Sequence, residues 1–398
     1  MKRGGIHSYV FLIMVFFIAA TFSLCNGKSW AKSAEAIRIG VVMDMTGPAA
    51  VMGIPFTNGF KNYFRHLNDM GGINGQKVKL TIEDDRYSIP MAVAAFKKLV
   101  FRDKVLAILG MGGTGQTTAL FPHIEKHKIV IIPLSWSWTM TDPIRKFIFT
   151  PGNDNKDEIN IIMEYIVNTL KAKDPRIAVI SPDVEFGKSG VRVAKAKAQK
   201  LNVALVGQEI MGVGAIDGSS QMLSLKRKKA THVIILETNG ATVAAVRAAK
   251  RIGYFPKYFG SFHAFGDEVA KIAGDAAKEV HGAAAFGSWY DSSDGITELK
   301  KITLGIHPEI TPPNRYYVKA WIISKIMREG LIRAGEELNG DSIANALETI
   351  QNLDMSGLTG PISYSPTKHK GNDYARLYKA DVEKGYFVPI TDWVTATH

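Results

Sequence analysis

The residues with the strongest claim to chemistry fall between Val105 and Thr141. An apolar run, Val105 to Leu109, feeds a glycine loop, Gly110-Met-Gly112-Gly-Thr-Gly115, which spells G-x-G-x-x-G and passes into a helical stretch from Thr117 to His127. A second apolar strand, Ile129 to Ile132, ends at Pro133 and is followed by Trp136 and Trp138. Strand, glycine loop and helix start make an anion site, because free backbone N–H groups and the helix dipole face the ligand. Two anions compete for it, a dinucleotide phosphate and a small carboxylate. The dinucleotide fingerprint belongs to the first strand–helix turn of its unit and needs a later acid for the ribose. Here the loop follows the third strand, and the next strand ends in Pro133-Leu-Ser-Trp136 with no acid at its tip. The carboxylate is the better reading. Gly113, Thr114 and Gly115 offer N–H groups and one hydroxyl, and Ser135 with the backbone of Trp136 lies at the neighbouring strand tip. Ligands of open α/β sheets sit beyond the carboxyl ends of the strands, so both tips face one crevice.

Catalytic sets are hard to assemble from the rest. The single cysteine, Cys25, lies in the N-terminal apolar stretch, so no thiol nucleophile is expected. Ser181-Pro-Asp-Val-Glu-Phe-Gly187 holds acids without a partnered base. His123 and His127 are an i, i+4 pair, but Glu125 stands between them where a zinc helix would read His-Glu-x-x-His, and the pair reads as a solvated helix face. Asp84-Asp85 at a strand end is either a metal or acid/base pair or, more ordinarily, a set of turn caps. The expectation is no enzyme, no metal and no cofactor.

The elements that must position these residues alternate with regularity. Lys2 and Arg3 precede an apolar run from Tyr9 to Leu24, with small residues at Ser29 and Ala31, which describes a secretory signal over residues 1–31. A lipoprotein reading of Cys25 is disfavoured by the bulky Leu24 before it. The net charge of +12 falls to +9 when Lys2, Arg3 and Lys28 leave with the signal. The remaining cations are spread over helix faces. The dense run Lys226-Arg-Lys-Lys229 closes a helix, where cations complement the dipole, so no nucleic acid partner is expected. Strands at 37–43, 77–83, 105–109 and 129–132 alternate with helices at 55–70, 91–101 and 117–127. After a break at Thr150-Pro-Gly152 the rhythm restarts, with strands at 176–181, 204–210, 233–237 and 258–261. This is the βαβ pattern of parallel sheets with helices on both faces. The tail carries a small apolar stretch at 280–290, helices at 314–334 and 342–350, and a hairpin expected to pair 360–364 with 374–380.

Taken together the residues resemble the leucine/isoleucine/valine-binding protein family, the periplasmic solute receptors of branched-chain amino acid ABC transporters. The carriers are Ile39-Gly-Val-Val-Met-Asp-Met-Thr-Gly-Pro48, Asn68-Asp-Met-Gly-Gly-Ile-Asn-Gly75, Glu83-Asp-Asp85 with Pro90 and Ala92, Gly218-Ser-Ser-Gln221, and Gly360-Pro-Ile-Ser-Tyr364 with Gly371-Asn372. The resemblance implies an α/β fold of two doubly wound parallel-sheet lobes joined by a three-crossing hinge. Lobe 1 would hold 37–151 plus 284–360, and lobe 2 would hold 152–283 plus 361–398. A solute would bind between lobes that close on it, and a membrane permease would read the closed, monomeric receptor. A sensing subunit for a signalling receptor is the alternative.

The resemblance also implies a pocket. The solute carboxylate would be held by Gly113 to Gly115 and by Leu134, Ser135 and Trp136, with Trp136 standing where a small hydroxyl residue is usual. The second lobe would give Phe186 and Thr238. The acid that grips an α-ammonium in this family should fall near Phe262 and His263, and no carboxylate is there. Met52, Tyr87, Trp136, Trp138, Phe186 and Phe262 then read as an aromatic-rich wall. That wall suits an aromatic or longer aliphatic acid better than an α-amino acid, unless Glu237 takes the amine.

Overall fold

The computed structural model describes residues 35–396; the expected signal at 1–31 lies outside them. Seven elements open the fold: β1 (Ile37–Met43), α1 (Ala50–Asp69), β2 (Val78–Asp84), α2 (Ile89–Lys97), β3 (Ala107–Gly110), α3 (Thr114–His127) and β4 (Val130–Pro133). Their strands form a parallel sheet in the order β2-β1-β3-β4. β3 and β4 are buried along their whole length, as the continuous apolar runs predict for strands covered on both faces.

The second run holds α4 (Asn155–Glu164), β5 (Arg176–Ser181), α5 (Glu185–Leu201), β6 (Ala204–Ile210), α6 (Ser219–Arg227), β7 (His232–Ile235), α7 (Asn239–Arg251), β8 (Lys257–Gly260), α8 (Asp267–Ala273) and β9 (Val280–Ala284). Then come α9 (Asp294–Ile306), α10 (Arg315–Ala334), α11 (Gly340–Glu348), β10 (Tyr374–Asp381), β11 (Tyr386–Pro389) and β12 (Val394–Thr395). The second sheet runs β6-β5-β7-β8-β9-β10-β11, with β12 beside β10. Its first five strands are parallel, and β10 and β11 are antiparallel additions at one edge.

That edge corrects one expectation. The late hairpin is β10 with β11, turned through Gly385 at φ +71°, whereas 360–364 forms no ladder with β10: it makes an isolated bridge between Ile362 and Leu353 and single backbone bonds from Ser363 to Gly371 and from Tyr364 to Ile350. Pro361 has no N–H to give a ladder. Tyr374 to Asp381 instead finds β9, far back in the chain. Two helix starts also lie earlier than the apolar periodicity suggests. α1 begins at Ala50 and carries Pro55 inside it. Pro55 cannot donate to Val51 O, and Asn314 Nδ2 takes that freed carbonyl at 3.3 Å.

The returning helix α10 packs on α1. Gly59 makes the close approach possible, since a Cβ there would stand 2.7 Å from Ala320 Cβ and 2.8 Å from Tyr317 O. Asn62 Nδ2 donates to the buried Tyr317 hydroxyl at 2.8 Å, and Thr303 Oγ1 lies 2.9 Å from the same oxygen.

The chain passes between the lobes after β4, after β9 and before β10. Ala284 still belongs to β9, so the middle passage begins at Ala285. The first and third passages are laced backbone to backbone: Thr150 N–H donates to His369 O and Gly371 N–H to Thr150 O, each at 2.9 Å. Gly287 N–H donates to Leu358 O at 2.8 Å, tying the second to the third. Lys370 Nζ meets Asp157 Oδ2 at 2.6 Å and Asp373 Oδ1 at 2.8 Å. Asp154 caps α4 by accepting from the N–H groups of Lys156 and Asp157.

Candidate ligand-binding site

The glycine loop reaches its conformation through three consecutive positive φ angles, at Gly110, Met111 and Gly112. A Cβ on Gly112 would stand 2.2 Å from Asp85 Oδ2, and one on Gly113 would stand 2.9 Å from the Tyr87 ring. Glycine is therefore required so that the β2–α2 turn can lie against the loop. Asp85 Oδ1 accepts from Tyr87 N–H at 3.0 Å, which fixes the tyrosine over Gly113. Burial pushes the Asp85 carboxyl up to about 6, with the Asp44 and Asp84 charges adding to it. Asp84 accepts from Met45 N–H, Thr46 Oγ1 and Arg86 N–H. The two acids are turn-builders.

α3 starts at Thr114, three residues before the periodicity suggests, with Gly113 extended as its cap. The Thr114 and Ser135 hydroxyls are 2.8 Å apart and buried, and Ser137 N–H donates to Ser135 Oγ at 3.3 Å. Two hydroxyls thus meet the first turn of a helix, whose leading N–H groups have no intrahelical acceptor. Such a corner suits an anion.

These residues border a narrow cavity, about 40 Å³ open to the centre of a water-sized sphere, which is room for a few waters. From the first lobe it is lined by Met52, Tyr87, Gly113, Thr114, Leu134, Ser135 and Trp136. From the second come Pro182, Phe186, Val213, Leu236, Glu237, Thr238 and His263. Most follow the carboxyl ends of parallel strands. Three residues expected in the lining or wall are elsewhere. Gly115 is the second residue of α3, and a side chain there would point at Ile89. Phe262 lies behind Trp136, stacked on it with centroids 4.8 Å apart and planes 13° apart. Trp138, expected in the wall, borders a separate surface groove with Lys156 and Arg192.

The presence of Trp136 at a position expected to be small has a physical account. Lys319 of α10 is fully buried, and its Nζ sits 4.1 Å from the Trp136 ring centroid while donating to Leu134 O at 2.8 Å. The indole separates this amine from the cavity, and a ring face is a favourable neighbour for a cation. Burial holds the Lys319 amine well below its ordinary range. Glu158, on α4, accepts from Phe262 N–H at 3.0 Å, and burial pushes its carboxyl well up. His263 Nδ1 is 2.7 Å from the Tyr316 hydroxyl, and burial pushes the imidazole down to about 3, with Lys319 adding to it. The ring is neutral at any ordinary pH.

Pro182, Val213 and Leu236 were missing from the sequence reading. Glu237, named from the sequence only as an alternative holder of an amine, lies in the lining. It ends the apolar run Val233 to Leu236, and an acid at the tip of a buried parallel strand is a signal that the sequence carried. Among the described residues no group of three or more acids, histidines or cysteines is arranged to hold a metal ion, and no helix is long and apolar enough to cross a membrane.

Two α/β lobes enclosing a cavity at the tips of both sheets define the architecture of a solute receptor. Comparison with known proteins agrees. Residues 36–385 match the family model described as periplasmic binding protein. The Leu/Ile/Val-binding protein homolog 3 of Brucella melitensis is 21% identical over 91% of this chain and 96% of its own. A branched-chain amino acid ABC transporter structure from Thermus thermophilus with bound valine superimposes with a TM-score of 0.85 at 22% identity, over 91% of this chain and 97% of that one. A fatty acid ABC transporter substrate-binding protein from Thermomonospora curvata gives 0.81 at 20% identity, over 91% and 92%. The chain belongs to the periplasmic binding protein family, of the branched-chain amino acid ABC transporter type. Membership implies a periplasmic or extracellular location.

Proposed function

We propose that the protein captures a small carboxylate-bearing solute in the interlobe cavity and delivers it to the membrane permease of an ABC importer. The solute is an aromatic or aliphatic acid and not an ordinary α-amino acid. The observation that carries the reading is the buried Thr114–Ser135 hydroxyl pair at the first turn of α3, facing a cavity walled by Tyr87, Trp136, Phe186 and His263. The hydroxyls and leading N–H groups take the carboxylate, and the rings take the apolar body. Phe262 and His263 occupy the stretch where the resemblance calls for an acid to hold an α-ammonium, and neither carries charge. The relatives named above span a valine complex and a fatty acid receptor, so both ends of this chemical range exist on the fold.

The test is calorimetric titration of protein stripped of solute by unfolding and refolding. Aliphatic, aromatic and α-amino acids of matched size are compared. Aromatic or aliphatic acids should bind tightest. Tight binding of leucine or valine would overturn the exclusion of α-amino acids, and binding of matched amides as well as acids would overturn the carboxylate.

A further inference from the structure

The cavity holds one carboxyl group of its own. Glu237 follows β7 directly and is only 2% exposed. One of its oxygens receives a long bond, 3.4 Å, from Thr238 N–H. The other, Oε1, has no hydrogen-bond partner although it is fully buried. The carboxylate is not the cap of the following helix: that role belongs to Thr238, whose side chain accepts from Ala241 N–H. No cation answers it. The cavity lining contains no lysine or arginine, and its single histidine is a neutral ring engaged with Tyr316.

A buried acceptor without a partner costs about 1–3 kcal/mol, more when charged. The fold offers nothing in return, since Glu237 ties no helix end and bridges no lobe. Glu237 lines the space that a solute would fill. The Thr114–Ser135 hydroxyl corner lines the same cavity from the other lobe, so a bound molecule would meet donors from one lobe and an acceptor from the other. The ends therefore differ in what they demand. A plain hydrocarbon tail satisfies the first end and leaves Glu237 stranded.

We propose that Glu237 selects the solute: the molecule carries, besides its carboxylate, a hydroxyl, amide or amine donor that docks on Glu237 Oε1. This rests on the carboxylate reading above and adds the class of the far end. The fit is to hydroxy-, amido- or amino-substituted acids with the donor away from the carboxylate. A site built to receive a donor rejects analogues lacking it by large factors, because its own polar group is then left unpaired. The position is also suited to selection, because it is contributed by the second lobe and completes the site only when both lobes embrace the solute.

The experiment measures affinities of the refolded protein for matched sets of equal chain length: plain acids, ω-hydroxy acids, ω-amino acids, and the corresponding alcohols and amines without a carboxylate. Wild type should prefer the donor-bearing acids over plain acids by at least about tenfold, one hydrogen bond's worth. In Glu237→Met this ratio should collapse toward unity. Glu237→Gln keeps an acceptor oxygen without charge, so it should retain preference for hydroxy acids and lose it for amino acids; it also serves if the methionine variant fails to fold. Equal affinity of wild type for plain and donor-bearing acids overturns the proposal, as does an unchanged ratio in the folded methionine variant. If alcohols and amines bind as well as the acids but still depend on Glu237, the carboxylate reading falls and the role of Glu237 stands.

Discussion

Glu237 makes a prediction that needs no solute. Burial pushes its carboxyl from an ordinary 4.5 up to about 8, with the Thr238 N–H bond opposing that slightly. The sign follows from linkage. Below pH 4.5 the group is neutral in folded and unfolded chains alike and costs nothing. Between 4.5 and 8 the unfolded chain ionises while the folded one holds its proton, so stability drains away as pH rises. Above 8 the loss levels off. At 1.36 kcal/mol per pH unit the full loss is on the order of 5 kcal/mol. Glu237→Gln removes the titration, so variant and wild type should unfold alike at pH 5, with the variant gaining steadily and exceeding wild type by a few kcal/mol at pH 9. Asp85, Asp154 and Glu158 are raised by burial as well and slope both curves, but they cancel in the difference. His263 and His232 are pushed down to about 3 and about 4, and stay neutral across the window. Urea unfolding followed by tryptophan fluorescence at unit pH steps gives the difference curve. A flat difference from pH 5 to 9 refutes the claim that this carboxyl is buried without a partner.

Thr114→Val keeps the shape of the side chain and deletes the hydroxyl that meets Ser135. It should weaken a carboxylate solute by about 1.5–3 kcal/mol, tenfold to a hundredfold by calorimetry, with little change in the melting of the free protein. Lys370→Met leaves Asp157 fully buried and Asp154 nearly so without their shared cation, and should cost about 3–5 kcal/mol in urea unfolding. Adding Asp157→Asn should recover part of the loss, and if the double variant is no better than the single one the pairing account fails. Trp136→Ala removes a fully packed ring, costing about 3–5 kcal/mol, and opens the cavity toward Lys319. Wild type, with its buried amine held low, should gain stability as pH rises toward the ordinary lysine range, and the variant should lose that slope as the amine gains water; an unchanged profile would show that the indole does not shield it.

The strands were legible because their sequences leave no alternative. β3 and β4 are short, wholly apolar runs bounded by polar or glycine breaks, and burial on both faces demands that composition. The loop chemistry of Gly113, Thr114 and Ser135 was legible for the same reason: strand tips in a parallel sheet have a fixed destination. What failed was resolution by one residue. Phe262 and His263 are chain neighbours after β8, yet one backs Trp136 and the other borders the cavity, and pattern ends where the strand ends. Trp136 looked anomalous because its explanation, Lys319, lies on a helix far along the chain. The late hairpin was misassigned for a related cause. β10 owes its place to β9, and no local signal in either segment names the other.

That long-distance stitching bears on how the molecule is made. α1 packs on β1 and β2 at once but lacks its main partner until α10 exists, and the second sheet lacks its edge until β10 has arrived beside β9. Neither half of the protein is a continuous piece of chain. A polypeptide released in order begins the second sheet before the returning helices have covered the first half, and the second sheet closes only when β10 and β11 arrive. Contacts so distant in sequence make for slow folding. The edge of the second sheet therefore stays unpaired at β9 until the closing segments of the chain arrive.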